Sequence, residues 1–394
     1  MRKVIVIILF LFCLFFLPSG KVTALAHATT NEPSDEEILE SIETQIENMD
    51  FSALENYYEE NIEFDSFKNY SIKDLVRGLI AGEVKLGLGD IINLIVDSVK
   101  VDVVSVLKLV SLIVIIAGFG AFSEMLRSTK KTSDGVSSVV SLIILVAILS
   151  VVASVLADFA SETITLLDNM REISLSVFPI LLSLVITLGG ISLGATLEPV
   201  IVFISTGVTT IIATLTKIVV ILYFVLTVVG ELTDTIKLDR LKSLVSSVFK
   251  WGIGLIFTVF MGYMSLNGIV SSGRDGLSVK TAKYALKSYI PLVGGYLSDS
   301  YDLFRVGGVL IKNSVGIVGV AILFGMVIKK VLSLGVFKLG LSLASGLTEP
   351  LNTTKVTRFL SSLSSLFNFL IVGVVACFLM LILTIFILMS AVNI

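Results

Sequence analysis

The chain has 394 residues, of which 55% are hydrophobic and 15% are charged, and its mean hydropathy is +0.98. Soluble proteins carry roughly a quarter of charged residues, so this composition excludes a water-soluble fold. The net charge of -3 divides into +3 over residues 1–26, -13 over residues 27–102 and +7 over residues 103–394. This asymmetry predicts one acidic segment in water and one mildly basic segment in a membrane.

The first 26 residues have the pattern of a secretory signal peptide. Two basic residues, Arg2 and Lys3, precede an apolar run over residues 4–17, and an A-L-A motif ends at Ala24 to Ala26. We expect cleavage after Ala26, although residues 26–28 offer a second site of the same kind. The alternative is an uncleaved anchor, but the apolar run is shorter than the about 20 residues that cross a bilayer. Export would place the following residues outside the cytoplasm.

The sequence lacks the residues that the common catalytic sites require. The two cysteines are Cys13, inside the signal peptide, and Cys377, inside the last apolar run, and the single histidine is His27. A zinc site, a Ser-His-Asp triad and a Cys-His pair all need residues that the chain does not have. It also has no phosphate-binding loop for ATP. We therefore expect a protein that is not an enzyme and has no cofactor or metal.

Residues 27–102 are predicted to form a small acidic extracytoplasmic region. Residues 27–70 hold 13 carboxylates against one lysine, Lys68, yet apolar residues recur there at helical spacing. This pattern favours an amphipathic acidic helix or helical pair over disorder. The acidity is either a docking surface for a basic partner or a solvated face. Over residues 71–100 the apolar positions multiply, which predicts a helix at the membrane surface or packed on the embedded part.

One motif resembles an intramembrane aspartyl protease. Residues 87–90 read G-x-G-D and residues 301–302 read Y-D, the two fragments that such proteases use to pair carboxylates. Here their order is reversed and neither lies in a long apolar run, which argues against a protease. Glycine-flanked aspartates at a helix break are the ordinary explanation.

Residues 103–394 are predicted to be an all-α, polytopic transmembrane body with about seven spans, and six to nine are possible. The candidate spans are 103–122, 136–156, 173–193, 200–230, 251–270, 308–328, 331–347 and 367–392. A basic loop after the first span and an acidic loop over residues 157–172 agree with the positive-inside rule. The loops 231–250 and 271–305 are both basic, however, although one clean span separates them.

Charges and prolines inside apolar segments are the candidate functional residues. Lys217 and Lys338 lie in the middle of such segments, and two Glu-Pro pairs open or close others, namely Glu198 with Pro199 and Glu349 with Pro350. Intramembrane charges normally face a partner or a water-filled cavity, and interrupted helices build midplane sites in transporters. The alternative is that the lysines simply reach an interface because the segments are re-entrant or tilted.

A weak internal repeat connects two parts of the body. Residues 240–251 read R-L-K-S-L-V-S-S-V-F-K-W, and residues 358–369 read R-F-L-S-S-L-S-S-L-F-N-F. Each copy enters a span and lies downstream of a Glu-Pro pair. Either an ancient duplication or two chance serine-rich entry helices would give this pattern.

Two further stretches resemble a known family. Residues 176–190 read S-V-F-P-I-L-L-S-L-V-I-T-L-G-G and residues 289–299 read Y-I-P-L-V-G-G-Y-L-S-D. Together with the order of signal peptide, acidic region and polytopic body, they resemble the stage III sporulation protein AE family of endospore-forming bacteria. The second stretch is the more specific one, and the family has no short catalytic signature to carry over.

The resemblance implies a membrane subunit in the mother-cell membrane that surrounds the forespore. Its implied partners are the other products of one sporulation operon, including a secretion-type ATPase, and the forespore-side stage II sporulation protein Q. Together they would build a secretion-like channel that sustains forespore development and late forespore-specific transcription. The alternative from the residues themselves is an autonomous secondary transporter for a small solute.

Overall fold

The structure is a computed structural model that describes residues 35–85, 87–129, 134–232, 237–263, 294–351 and 354–392. The predicted signal peptide and its cleavage residues Ala24 and Ala26 lie outside these ranges. Residues 289–293, the first five of the family-like stretch 289–299, also lie outside them. The described elements are helices throughout, which confirms the all-α prediction.

Three short helices follow the region predicted to be a signal peptide: α1 (Asp35–Glu47), α2 (Ser52–Asn61) and α3 (Ile72–Ala81). The prediction of an acidic helical pair is therefore confirmed. Helix α3 begins where Ser71 Oγ accepts a hydrogen bond from the Asp74 amide, and it ends at Gly82, whose φ of 73° is left-handed. Tyr58 is buried between α2 and the following turn, where its hydroxyl donates to the Phe67 carbonyl, and burial raises its pKa to about 12.

Seven further α-helices follow in the described chain. They are α4 (Leu88–Thr129), α5 (Asp134–Thr187), α6 (Ile191–Val202), α7 (Thr209–Leu232), α8 (Asp239–Tyr263), α9 (Gly294–Thr348) and α10 (Thr354–Ser390). A π-helical turn, Phe203–Val208, joins α6 to α7, and a 3-10 turn, Glu349–Leu351, follows α9. Together α6, the π turn and α7 form one continuous apolar stretch, Ile191–Leu232.

Six stretches among the described residues are long and apolar enough to cross a membrane. They are Gly89–Phe119, Ile143–Thr187, Ile191–Leu232, Asp239–Tyr263, Leu303–Leu351 and Lys355–Ser390. Six lies within the predicted range of six to nine spans. The protein is thus a multi-pass α-helical membrane protein, while the division into three regions at residues 26 and 102 stays a prediction.

Two predicted interruptions are wrong because hydropathy does not distinguish a loop from a polar turn of a helix. Residues 157–172, predicted as an acidic loop, lie inside the 54-residue helix α5. The predicted spans 308–328 and 331–347 likewise lie within the single 55-residue helix α9. At 1.5 Å per residue these helices are about 80 Å long, far more than the about 30 Å of a hydrocarbon core.

Helices α9 and α10 form a central antiparallel hairpin against which the others pack. Lys312 of α9 lies at the end of α10, where its Nζ donates to the Ala391 carbonyl, and Thr348 lies near the start of α10, where its hydroxyl is 3.2 Å from that of Thr357. The 55-residue and 37-residue helices therefore share almost the full length of α10.

The other elements divide between the two ends of this hairpin. The cap half comprises α1–α3 with residues 162–187, 303–330 and 373–391; there Phe64 stacks on Phe324 and the Gln45 side chain donates to the Phe304 carbonyl. The turn half comprises residues 103–160, 331–348 and 354–372 with α7 and α8. In the turn half, Tyr223 and Phe249 both pack edge-on against Phe369.

Helix α9 approaches α4 most closely at Gly340. A Cβ at that position would overlap Cγ1 of Val106, whereas a Cβ at Gly346 on the same helix would meet nothing within 4 Å. Valine has little rotamer freedom in a helix, so it cannot easily move aside.

We expect Gly340→Ala to destabilise the protein by about 1 to 3 kcal/mol, because the added methyl overpacks the α4–α9 contact. Thermal unfolding in detergent measures this loss. Gly346→Ala is the matched control and should be neutral or slightly stabilising, since alanine is the better helix former. Val106→Ala added to Gly340→Ala should restore most of the lost stability, and equal effects at both glycines would contradict the packing described.

Candidate functional site: a polar seam between two helices

A row of polar side chains follows the contact between α9 and α10 in the turn half. Lys338 Nζ donates to Asn368 Oδ1 at 2.6 Å, the hydroxyls of Ser342 and Ser364 are 2.7 Å apart, and Ser345 Oγ donates to the Thr357 carbonyl at 2.9 Å. We call this set the polar seam; its members are Lys338, Ser342, Ser345, Thr348, Thr357, Ser364 and Asn368.

The seam follows from helical periodicity. Its α9 members are spaced by four, three and three residues and its α10 members by seven and four, so each set lies on one face of its helix. Antiparallel packing then brings the two faces together in reverse order, from Lys338 with Asn368 to Thr348 with Thr357. Hydroxyl groups pair across closely packed membrane helices because lipid offers them no alternative partner.

The seam is open on one side. Ser364 and Thr348 are buried at 5% and 0% exposure, but Ser342 is exposed. Within the described residues, a single chain therefore does not enclose the whole seam.

A cluster of charges lies beside the turn end of the seam. Glu231, at the end of α7, is 6% exposed, and its Oε2 is 3.7 Å from Arg358 Nε. Asp239 and Lys242 form an ion pair of 2.9 Å at the start of α8. The two copies of the sequence repeat thus begin next to each other, at Arg240 and Arg358, although this placement does not test a duplication.

The predicted functional charges are not gathered into one site. Lys338 lies in the seam, whereas Lys217 is exposed on α7 and, within the described part of the chain, has no hydrogen bond or ion pair. Glu198 and Pro199 are exposed on α6, and the helix continues through Pro199 into the π turn. Such a turn accommodates a residue that cannot donate a helical hydrogen bond.

Glu349 and Pro350 lie in the 3-10 turn that ends α9, and both are exposed. This second Glu-Pro pair therefore does interrupt the helical path, as its sequence predicts, and it allows the chain to reverse into α10. Its position is at the turn end of the hairpin, beyond Thr348, the last member of the seam on α9.

Sequence reasoning missed Lys312, the most deeply buried lysine of the described chain. Its side chain is 0% exposed, and its ammonium group donates to the Ala391 carbonyl just after α10 ends. A cation at that position complements the unsatisfied carbonyls and the negative end of the helix dipole. The sequence could have pointed to Lys312, because a lysine inside the predicted span 308–328 needs an internal partner.

A polar groove of about 820 Å³ lies between the short helices and helices α4, α5 and α9. Two ion pairs border it: Lys329 Nζ to Glu63 Oε1 at 2.8 Å, and Lys330 to Glu162. Asp90 also lines it, accepting hydrogen bonds from the Ser66 hydroxyl at 2.5 Å and the Gly87 amide at 2.9 Å at the start of α4. This confirms that the G-x-G-D motif marks a helix start. No group of residues fit to hold a metal is found among the described positions.

The fold and the seam together define a polytopic helical membrane protein with polar contacts between its central helices. The family model described as stage III sporulation protein AE matches residues 70–392. The chain therefore belongs to the stage III sporulation protein AE family, which implies a role in sporulation.

A curated relative, stage III sporulation protein AE of Bacillus subtilis (strain 168), is 30% identical over 214 residues, which are 53% of this chain and 52% of the relative. The alignment thus spans about half the length of that relative. No solved structure matches the chain.

We expect Asn368→Leu to destabilise the protein by about 1 to 3 kcal/mol, because the half-buried Lys338 ammonium loses its amide acceptor. Thermal unfolding in detergent measures the loss. The double variant with Lys338→Met should lose less than the sum of the two single variants, since their interaction is removed only once. Strict additivity would show that the two side chains do not interact.

Proposed function

We propose that this chain is a non-enzymatic membrane subunit of a mother cell-to-forespore channel. That channel is a secretion-like complex needed for forespore development and late forespore-specific transcription. Family membership supports the sporulation role, and the open polar seam is the observation that carries the channel. A multi-pass body that places polar side chains along its central helix pair, with one side uncovered, has the chemistry of a channel wall that neighbouring subunits complete.

The proposed partners are those that the family resemblance implies. Because the sequence has no phosphate-binding loop, an ATP-driven step would come from the secretion-type ATPase of the same operon. The acidic helices α1–α3 would face the space between the two membranes, where the stage II sporulation protein Q complex approaches from the forespore side. The protein would lie in the mother-cell membrane around the forespore, with its N-terminal region extracytoplasmic.

The basic residues at the turn end support this orientation. At the other end, the polar groove lies where the acidic helices meet the long helices, and carboxylates outnumber lysines along its wall. Acidic residues are neutral to the positive-inside rule, whereas basic residues concentrate in cytoplasmic loops. The basic residues at the turn end, Arg240, Lys242, Lys355 and Arg358, would then be cytoplasmic.

An autonomous secondary transporter is the second candidate, because intramembrane polar groups beside broken helices also build solute sites. The two functions differ in what the purified chain does alone. In liposomes, substrate-specific uptake without partners would establish the transporter. Lack of uptake together with co-purification of the operon partners would establish the subunit.

The sporulation role is tested by deleting the gene in the host organism. We expect cells that complete engulfment, then stall before late forespore-specific transcription, and yield few heat-resistant spores. Engulfment is scored by membrane-dye microscopy and transcription by a forespore reporter. A deletion strain that sporulates at the wild-type level would contradict the role.

The seam is tested by complementing that strain with single variants. Lys338→Ala should fail to restore spore formation although the protein accumulates, because it removes the one charge on the seam. Lys217→Ala is the matched control: this lysine also interrupts an apolar helix but is exposed and contacts no polar group of the described chain. It should restore spore formation. Equal restoration by both variants would show that the seam is not functional.

A further inference from the structure

Exposed apolar side chains are distributed very unevenly over the two halves. Of the 37 large apolar residues that the described chain exposes, 28 lie in the turn half and four in the cap half, namely Leu39, Tyr70, Ile186 and Phe386. The other five lie on segments outside both ranges: Ile92 and Val96 near the start of α4, and Ile191, Val202 and Phe203 on α6 and the π turn. None falls on residues 303–330 of α9, although these residues belong to a stretch apolar enough to cross a membrane. Hydropathy therefore does not report which segments face the surroundings.

The cap half is built like a soluble domain. Its core is apolar, with Phe64, Phe324 and Phe378 in ring contact. Its surface carries ion pairs, including Arg77 with Glu43 and Asp74, and Arg171 with Asp168 and Glu172. Such exposed pairs belong in water, since charges at the centre of a bilayer cost several kcal/mol.

The turn half has the opposite arrangement, with polar contacts inside and apolar side chains outside. On α4 the continuous series of exposed apolar residues runs from Val103 to Phe122, whereas the exposed Ile92 and Val96 lie among the charged residues at the start of that helix. On α7 the series runs from Ile211 to Leu232. At 1.5 Å per residue both stretches are about 30 Å long, which is the thickness of a hydrocarbon core. Helix α8 adds a third such face, from Leu241 to Tyr263.

We propose that lipid acyl chains contact only the turn half and that the cap half stands outside the bilayer. Helices α9 and α10 then cross the hydrocarbon with residues 331–348 and 354–372. Their continuations, 303–330 and 373–391, form the core of a membrane-proximal domain that α1–α3 and the end of α5 enclose. This inference does not depend on the sporulation role.

Two exposed lysines of the turn half, Lys108 and Lys217, fit this placement. Lys108 is five residues from Val103, and Lys217 is six residues from Ile211, so each lies within about 9 Å of the cap-side end of its apolar face. A lysine stem spans such a distance and brings its ammonium group to the headgroups. Gly252 packs on Leu215, which places its neighbour Trp251 near the level of Lys217 and within the apolar face of α8.

Helix α6 and the π turn after it join the two halves and carry three exposed apolar residues, Ile191, Val202 and Phe203. The exposed Glu198 of α6 lies between them. An acyl-chain environment along α6 would surround this carboxylate with hydrocarbon, whereas a position above the bilayer leaves it in water. The acidic residue therefore places α6 with the cap half.

The sequence offers a direct probe, because Trp251 is the single tryptophan and is 80% exposed. Fluorescence of the full chain in liposomes is compared between ordinary phospholipid and phospholipid with brominated acyl chains, which quench tryptophan on contact. Trp251 should be quenched. In a Trp251→Phe background, Leu347→Trp reports on the turn half and Phe386→Trp on the cap half.

These two positions are well matched, at 54% and 50% exposure. Tryptophan at position 347 should be quenched, and tryptophan at position 386 should not be. Ile186→Trp, also in the cap half, guards against a local disturbance at 386 and should likewise escape quenching. Quenching at 386 and 186 as strong as at 347 would overturn the proposal, because lipid would then reach both halves. Absence of quenching at both 347 and 251 would overturn it too, because another chain would then cover the apolar face.

Discussion

The antiparallel contact between α9 and α10 is the interaction on which the rest of the structure depends. It runs from Lys312 at the Ala391 carbonyl to Thr348 beside Thr357, and the remaining helices find their positions against it. Small residues make this contact close: Gly316 leaves room for Met389, and Gly319 for Val177 and Ile385. Because the hairpin is longer than a bilayer is thick, its two ends cannot both lie in the hydrocarbon core.

This length explains why one pair of helices uses two kinds of packing. At the cap half, apolar side chains of α9 and α10 are covered by α1–α3 and α5, and the hydrophobic effect holds the contact. At the turn half that driving force is weak for a helix surrounded by lipid, and hydrogen bonds from Lys338 to Asn368 and from Ser345 to Thr357 replace it. The polar seam therefore has a structural role as well as the functional role proposed for it.

The sequence predicted the helical class, the acidic helical pair and a span count within the right range, because these depend on composition and local periodicity. The predicted loop over residues 157–172 and the predicted break between the two segments of α9 were wrong. A hydropathy profile does not distinguish a charged turn of a long helix from a loop. The sequence identified Lys338 but not its partners, since Asn368 and Ser364 are brought near by tertiary packing. Glu231 was missed for the same reason, because only packing shows that its charge is buried.

The contradiction between the two basic loops also has a physical explanation. With six crossings, residues 237–250 begin α8 at the turn end, beside Arg358, and α9 begins at the opposite end, beside Gln45. In the orientation proposed above, residues 237–250 would be cytoplasmic, and Arg305, next to the Phe304 that accepts from Gln45, would lie on the same side as the acidic helices, where basic residues are uncommon but tolerated.

The central claim is that the cap half and the α9–α10 turn lie on opposite sides of one membrane. The most direct measurement is labelling of single cysteines with a membrane-impermeant maleimide in intact vegetative cells that express the chain, where the outer face of the membrane is accessible, after the buried Cys377 has been replaced by serine. Leu39→Cys should be labelled from outside, and Glu349→Cys should be labelled only after the cells are permeabilised. Labelling of both positions from outside would contradict the account.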